Sequence, residues 1–327
     1  MYTIKVKNVN EALIVGSSML SHDGVKVYSR GMETLEYPTP VCTTYTNPKE
    51  RVLLLDERDA NPFFHLFESL WILAGRQDVY WLAKFNKRMK EYSDDGINFH
   101  AAYGYRLRTE LGFDQISAAI NLLRTTPDTR QCVLQIWNAS SDLGSASKDI
   151  PCNDIVMLKI RNDKLNMAVC NRSNDMIWGA YGANVVQFSM LQEYIADKVG
   201  VEVGVYNQVS DSFHVYPDNP QWDYLKTLSF SDFNPYKYDV KTYPLNAQER
   251  NWDNDLLLFC SLVDSDEHSR VTSALYSTAY FRNVVVPMYK AWAEHRQHNN
   301  GLEYTGYILA DDWRTAAYAW LLKRETS

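Results

Sequence analysis

Four short stretches of this chain carry side chains that could do chemistry. The first surrounds Glu68, in Phe63-Phe64-His65-Leu66-Phe67-Glu68-Ser69-Leu70-Trp71-Ile72-Leu73. Apolar residues stand on nearly every side of that helical stretch, so the helix must be buried on more than one face. A carboxylate there is costly unless something compensates it. Either Glu68 pairs with a buried Arg or lies on a narrow solvated strip, or it is a desolvated acid suited to proton transfer. The second is Cys152, after Asp149-Ile150-Pro151 and just before a strand. Pro151 stiffens the approach, and a nucleophilic thiol needs a nearby positive charge. Arg30, Arg130 and Arg172 are the arginines that could supply one. Against this stands the ordinary fate of a cysteine, a small buried hydrophobe.

The third stretch is Asn171-Arg172-Ser173-Asn174-Asp175, followed by Trp178-Gly179-Ala180-Tyr181-Gly182-Ala183-Asn184. A guanidinium beside a hydroxyl suits a phosphate monoester. Asp175 and Asn184 fall at a strand end and a helix start, with glycines between them that allow close backbone approach. An ordinary Asn/Gly loop with a surface Arg is the plainer reading. The fourth is Asp211-Ser212-Phe213-His214-Val215-Tyr216, a polar strand end. Its plainer reading is a satisfied core His and a packed Tyr.

These groups need elements to hold them. Asn61-Pro62 starts a strong helix that ends at Gly75. Cys132–Trp137 reads as a strand, and Ile155–Ile160 and Leu165–Cys170 as two more joined by a polar turn. Asn184–Val199 is helical, with Phe188, Leu191 and Ile195 on one face. Gly204–Asp211 is a further strand. Asp311/Asp312 to Lys323/Arg324 forms a last helix whose charges suit its dipole. The stretch from about 229 to 251 is rich in Pro, Tyr, Asn and Asp and reads as loop. The expected fold is α+β, with a large, mainly antiparallel sheet, packed helices and a helical C-terminal extension.

Composition narrows the function. Of 327 residues, 46% are hydrophobic, which implies a large core. The formal net charge of −7 makes bulk nucleic-acid binding a poor expectation. No apolar run approaches a membrane span, and the start of the chain alternates like a strand, so a cytoplasmic location is the default. The five cysteines are scattered and contain no C-x-x-C pair, which argues against disulfides and zinc. No metal-ligand cluster and no Gly-rich phosphate loop is seen.

Taken in order, the stretches resemble the thymidylate synthase family. Arg30-Gly31 falls where the family has its N-terminal phosphate-binding loop, and His65–Gly75 resembles its helix with the catalytic Glu, here Glu68. Tyr103-Gly104 with Arg106 resembles the Y-G block. Pro127-Asp128-Thr129-Arg130 resembles the loop that one subunit inserts into the other's phosphate site. Pro151-Cys152 resembles the nucleophile dipeptide. Arg172-Ser173-x-Asp175 with Gly179 resembles the R-S-x-D segment, Asn184 the base-reading Asn, and His214-x-Tyr216 the sugar-holding pair. The likeness runs from about Arg30 to Tyr216, and residues 217–327 do not match. The chain therefore reads as a single domain, 1–327, with 217–327 a divergent extension.

The resemblance implies a homodimer that binds a pyrimidine nucleoside monophosphate. Its phosphate would meet Arg30, Arg172, Ser173 and Arg130 of the second copy. Cys152 would add to C6 of the base, with Glu68 and Tyr103 as the other catalytic residues. Asn184, His214 and Tyr216 would hold base and sugar. Trp71, Asp175 and Gly179 would lie on the side of the cofactor, 5,10-methylenetetrahydrofolate, with no metal. Five departures stand out. Gln131 replaces the second Arg of the loop, and Asn153 follows the nucleophile where synthases have His. One extra residue lies between Gly179 and Asn184. Lys87–Tyr92 lacks the Trp that synthases carry over the folate, and the chain ends in Lys323-Arg324-Glu325-Thr326-Ser327 rather than an apolar closing tail. Both last changes fall on the side where a synthase must keep water out. Hydroxymethylation is thus expected over reductive methylation, on dUMP because Asn184 replaces the Asp of dCMP hydroxymethylases, with dCMP the second candidate. An inactive nucleotide- or RNA-binding protein and an unrelated Cys hydrolase are the readings from other classes.

Overall fold

The computed structural model describes residues 1–29, 31–228 and 234–325. Eight strands form one sheet: β1 Tyr2–Val6, β2 Val25–Ser29, β3 Met32–Glu36, β4 Val41–Tyr45, β5 Val133–Gln135, β6 Asn153–Arg161, β7 Lys164–Asp175 and β8 Glu202–Val215. The order is β1-β4-β8-β7-β6-β5, with β3 joined to β8 and β2 to β3. Five of the pairings are antiparallel, as expected. The central pairing of β7 with β8 is parallel, as is β1 with β4. Helix α5, Asn184–Val199, crosses between β7 and β8 and makes the parallel return geometrically feasible.

The strand limits differ from expectation at the ends that matter. β7 runs past Cys170 to Asp175, and β8 past Asp211 to Val215. Their polar ends pair with each other, Ser173 with Ser212 and Asp175 with His214. β5 is shorter than Cys132–Trp137 because the Ile136 and Trp137 amides both turn to the Asp154 carbonyl, at 2.8 and 2.9 Å. Along β6, Val156, Leu158 and Ile160 are buried while Met157 and Lys159 are exposed on the other face.

Helices cover the buried face: α1 Val9–Asp23, α2 Pro62–Leu73, α3 Val79–Phe85, α4 Gln115–Thr125 and α5. Helix α2 begins where Asn61 accepts the Phe64 amide at 3.0 Å, with Pro62 in its first turn. All twelve of its residues are buried. The C-terminal third explains how. Its helices α6 Trp252–Asp264, α7 Val286–His298 and α8 Asp311–Glu325 pack on the flank of α2 that the sheet leaves open. Phe67 meets Phe259 at 5.7 Å and Tyr289 at 6.0 Å, and Phe63 meets Trp320 at 5.5 Å. At its end α8 is tied back by Arg324, which donates to both oxygens of Asp59 at 3.0 and 2.8 Å.

Part of the 229–251 stretch, residues 229–233, lies outside the described residues. From 234 to 251 the chain has one short helical turn, Pro235–Lys237, and no strand. Among the described residues no helix is long and apolar enough to cross a membrane. None contributes to a cluster of three metal-ligating side chains.

Because Phe259 joins the core around Phe67, Phe259→Ala should destabilise the whole chain by about 3–5 kcal/mol. Urea denaturation should show one transition at a lower midpoint; an independent early transition would mean that the C-terminal helices unfold separately.

Candidate active site

The thiol of Cys152 sits at the start of β6, and the neighbouring strand β7 fixes it. The Arg172 amide donates to the Cys152 carbonyl at 3.0 Å. The Arg172 side chain folds back over the same segment, donating from Nε to the Pro151 carbonyl at 2.8 Å and from Nη2 to the Ile150 carbonyl at 3.0 Å. That places Nη2 3.9 Å from Sγ. A guanidinium beside sulfur favours the thiolate. The Arg172 guanidinium carbon also lies 5.9 Å from the centre of the Trp137 ring. The Asn153 side chain, where the synthases carry His, donates across the sheet to Asn171, whose own amide reaches the Val209 carbonyl at 3.0 Å. Asn153 thus ties β6 to β7 and β8.

Beside the nucleophile lies a cavity of about 190 Å³. Glu68, Tyr103, Asp149, Asn184 and Gln187 give it a polar side, and Trp71, Leu82, Met89, Tyr92 and Phe99 an apolar one. Met89 and Tyr92 come from the Lys87–Tyr92 turn, the segment that lacks a Trp. Among the described residues, nothing after Gln187 lines the cavity. Tyr103 is carried by a short helical turn that rests on α2. A Cβ on Gly104 would come within 2.3 Å of the Ile72 carbonyl oxygen, so only glycine allows this approach. The Tyr103 phenol meets the Cys152 backbone, and burial drives its pKa well up. It is therefore a neutral hydrogen-bonding group between Cys152 and the cavity.

Glu68 has neither of the bland environments that its sequence allowed. No ion pair to it occurs among the described residues, and it is 8% exposed. Its neighbour His65 is held neutral by burial and by the Arg58 charge, which lower its pKa to about 3. Gln187, on α5, supplies a hydrogen bond, while Oε2 is buried without a partner. Desolvation raises the carboxyl to about 7, against the single lowering influence of Gln187. Such an acid can take or give a proton near neutral pH.

Asn184 opens α5 after a kinked segment, Met176–Ala183, in which Tyr181 and Gly182 leave helical geometry. Asp175 starts that segment by accepting the Ile177 and Trp178 amides at 2.7 and 3.1 Å. The Asn184 amide donates to Asn174 at 3.2 Å, and Asn174 donates to Ser210 at 3.2 Å. Gly179 makes room for this chain: a Cβ there would stand 2.5 Å from the Asn174 oxygen. His214 faces Ser212 at 3.2 Å and packs edge-on against Tyr216 at 5.4 Å.

The structure therefore gathers Glu68, Trp71, Tyr103 and Asn184 around one cavity and sets Cys152 and Arg172 beside it. Ser173, Asp175 and His214 line up along the ends of β7 and β8, with Tyr216 just beyond. Asp175 and Gly179 shape the segment before Asn184 and do not line the cavity. Arg130 lies elsewhere, on a depression of about 380 Å³ over the uncovered sheet face. Arg30 lies outside the described residues. Asp149, Asn174 and Gln187 were not singled out from sequence. Gln187 had a signal, since it falls one turn after Asn184 on the same helix face.

The family model for thymidylate synthase matches residues 18–238. The chain belongs to the thymidylate synthase family. A deoxyuridylate hydroxymethyltransferase of Pseudomonas phage M6 is 41% identical, with all of this chain and 95% of that protein covered. The protein of the same name from Bacillus phage SP01 is also 41% identical, over 67% of this chain and 60% of its own length. A putative thymidylate synthase of Methanothermobacter marburgensis is 31% identical, over 67% of this chain and 94% of its own.

In this thymidylate synthase family member, a Glu68 pKa of about 7 carries a stability signature. Between the ordinary carboxylate range and pH 7 the unfolded chain ionises while native Glu68 keeps its proton, so stability falls as pH rises. Above pH 7 both forms are ionised and the penalty is constant. Glu68→Gln should remove it, raising stability by on the order of 3 kcal/mol at pH 8 and by little near pH 4. Paired denaturation curves at the two pH values check this; equal shifts at both would mean that Glu68 is an ordinary acid.

Proposed function

We propose that the chain transfers a one-carbon unit to C5 of deoxyuridylate and completes the transfer with water, giving the 5-hydroxymethyl nucleotide. The observation that carries this reading is the similarity to the phage M6 deoxyuridylate hydroxymethyltransferase across the whole chain, C-terminal third included. The cavity agrees with it, since the described C-terminal third contributes nothing to its wall. Synthesis of thymidylate in the same site is the second reading, favoured by the family itself and by the likeness to the archaeal putative synthase.

In this reading Cys152 adds to C6 of the base, and the Arg172 guanidinium favours its thiolate. Arg30, Arg172 and Ser173, joined by Arg130 of a second copy, take the 5′-phosphate. Asn184 reads the edge of the base, its amide oriented by Asn174, and uracil is preferred over cytosine. His214 and Tyr216 take the sugar. Glu68 moves protons between the base and water, with Tyr103 supporting the C5 side. The apolar wall of Trp71, Leu82 and Phe99, next to the unpartnered Glu68 oxygen, fits the flat, partly polar ring of 5,10-methylenetetrahydrofolate. That molecule, when bound, supplies the methylene carbon. Asp175 and Gly179 support this side by fixing the segment that leads to Asn184. Residues 1–327 act as one domain, in which 217–327 is an extension that completes the burial of α2.

A homodimer is supported by the sheet face that the described helices leave open. Val133 and Met157 are exposed there, beside Arg130. Arg130 does not line its own chain's cavity, as expected of a residue serving a second copy.

Two experiments test this function. Incubation with methylenetetrahydrofolate and dUMP, dCMP, UMP or CMP, followed by mass spectrometry, should give a hydroxymethyl product from dUMP. A methyl product would establish the second reading. Cys152→Ser should bind dUMP and form neither. For the shared site, Arg130→Ala and Cys152→Ala chains, each inactive, should regain up to about one quarter of wild-type activity when mixed and allowed to exchange subunits. Confirmed heterodimers without activity would refute it.

A further inference from the structure

The cavity holds a second carboxylate that the scheme above leaves without a task. Asp149 lines it together with Glu68 and Tyr103. It lies three residues before the nucleophile, on the segment whose Ile150 and Pro151 carbonyls Arg172 holds. Its own backbone amide donates to Ser147 at 3.1 Å, and one carboxylate oxygen accepts the Ala101 amide at 2.8 Å. Asp149 is thus fixed from both sides, to the Cys152 segment and to the segment that leads to Tyr103.

The two acids of the cavity are solvated differently. Glu68 is desolvated and one of its oxygens has no donor. Asp149 is also pushed up by burial, but the Ala101 amide and the charges of His100 and Arg106 draw it back. When two carboxyls share a site, the one with donors on its oxygens gives up its proton first. Asp149 is then the base of the pair and Glu68 the acid. A water between Asp149, Glu68 and Tyr103 would have three polar partners, enough to hold it in place.

We propose that Asp149 is the general base that activates the water which becomes the product's hydroxyl. The proposal rests on the hydroxymethyltransferase reading and gives that reaction its last step. At that stage C6 of the base is bonded to the Cys152 sulfur and C5 carries an exocyclic methylene. The water oxygen bonds to the methylene carbon and its proton passes to the Asp149 carboxylate. The methylene π pair moves to form the C5–C6 double bond. The C6–S bond breaks, and its pair leaves on sulfur as the thiolate. Asp149 then returns its proton to solvent. No oxidant or reductant enters, and water is the only co-reactant of the step.

The test separates formation of the methylene from its capture. Asp149→Asn is assayed with C5-tritiated dUMP and methylenetetrahydrofolate. Tritium release should stay within a few-fold of wild type while hydroxymethyl product falls about 100-fold or more. With 2-mercaptoethanol present, a C5 thioether product should appear in its place. Asp149→Ala should behave alike and recover product formation when formate is added, which a merely structural role would not do. Tritium release and product falling together, without thiol trapping or formate rescue, would overturn the proposal. A methyl product from the wild-type protein would overturn the underlying reading first, and a wild type that hydroxymethylates beside an unimpaired Asp149→Asn would overturn this step alone.

Discussion

The site depends on one arginine that reads backbone. Arg172 leaves β7 and returns over β6, binding two consecutive carbonyls and placing its charge beside the Cys152 sulfur. A proline-stiffened approach alone would leave the thiol free to swing; a guanidinium fork across the Ile150 and Pro151 carbonyls removes that freedom. The Arg172 amide binds the Cys152 carbonyl as well, and the Tyr103 phenol meets the same Cys152 backbone. A single side chain thus supplies charge and position together, and the antiparallel pairing of β7 with β6, shifted in register between Asn153 and Ile155, brings it there.

Against this rigid corner stands an acid that the fold keeps uncomfortable. Glu68 is desolvated on the most buried helix of the site and has the Gln187 amide as its hydrogen-bond partner. An ion pair would stabilise it and would also pin it in one protonation state. The scaffold instead offsets the penalty with burial on every other side of α2, from Phe63, Phe67 and Trp71 to the aromatics of α6 and α7. The stability that the C-terminal helices add and the strain that Glu68 introduces meet on the same helix.

What could be read in advance follows the range of each interaction. The helix from Asn61 to Gly75 was legible because its cap, its proline and its terminating glycine are local, and the burial of Glu68 was legible from its immediate neighbours. The order of polar motifs along the chain was enough to suggest the family. The parallel pairing of β7 with β8 was not legible, since strand partners are chosen across the sheet. The ends of those strands were legible only in part: apolar alternation stops near Cys170 and Asp211, while the strands continue to Asp175 and Val215 with polar residues facing the site. Asp149 was overlooked for a related reason. A carboxylate three residues from a cysteine has no periodic signature, and its place in the cavity depends on a backbone amide from Ala101, far back in the chain. The aromatic shell around α2 was hidden too, because its outer half comes from residues that the family motif does not cover.

The closure of α2 by residues from the far end of the chain also has a temporal side. Phe63 rests on Trp320 and Asp59 on Arg324, so the helix that carries Glu68 is synthesised well before the residues that seal it. Contacts so distant in sequence form late, after the intervening chain has been synthesised. A nascent chain halted before its final helix would already hold the thiol, the arginine fork and both carboxylates. It would lack the contacts of Trp320 with Phe63 and of Arg324 with Asp59 that close the outer flank of α2.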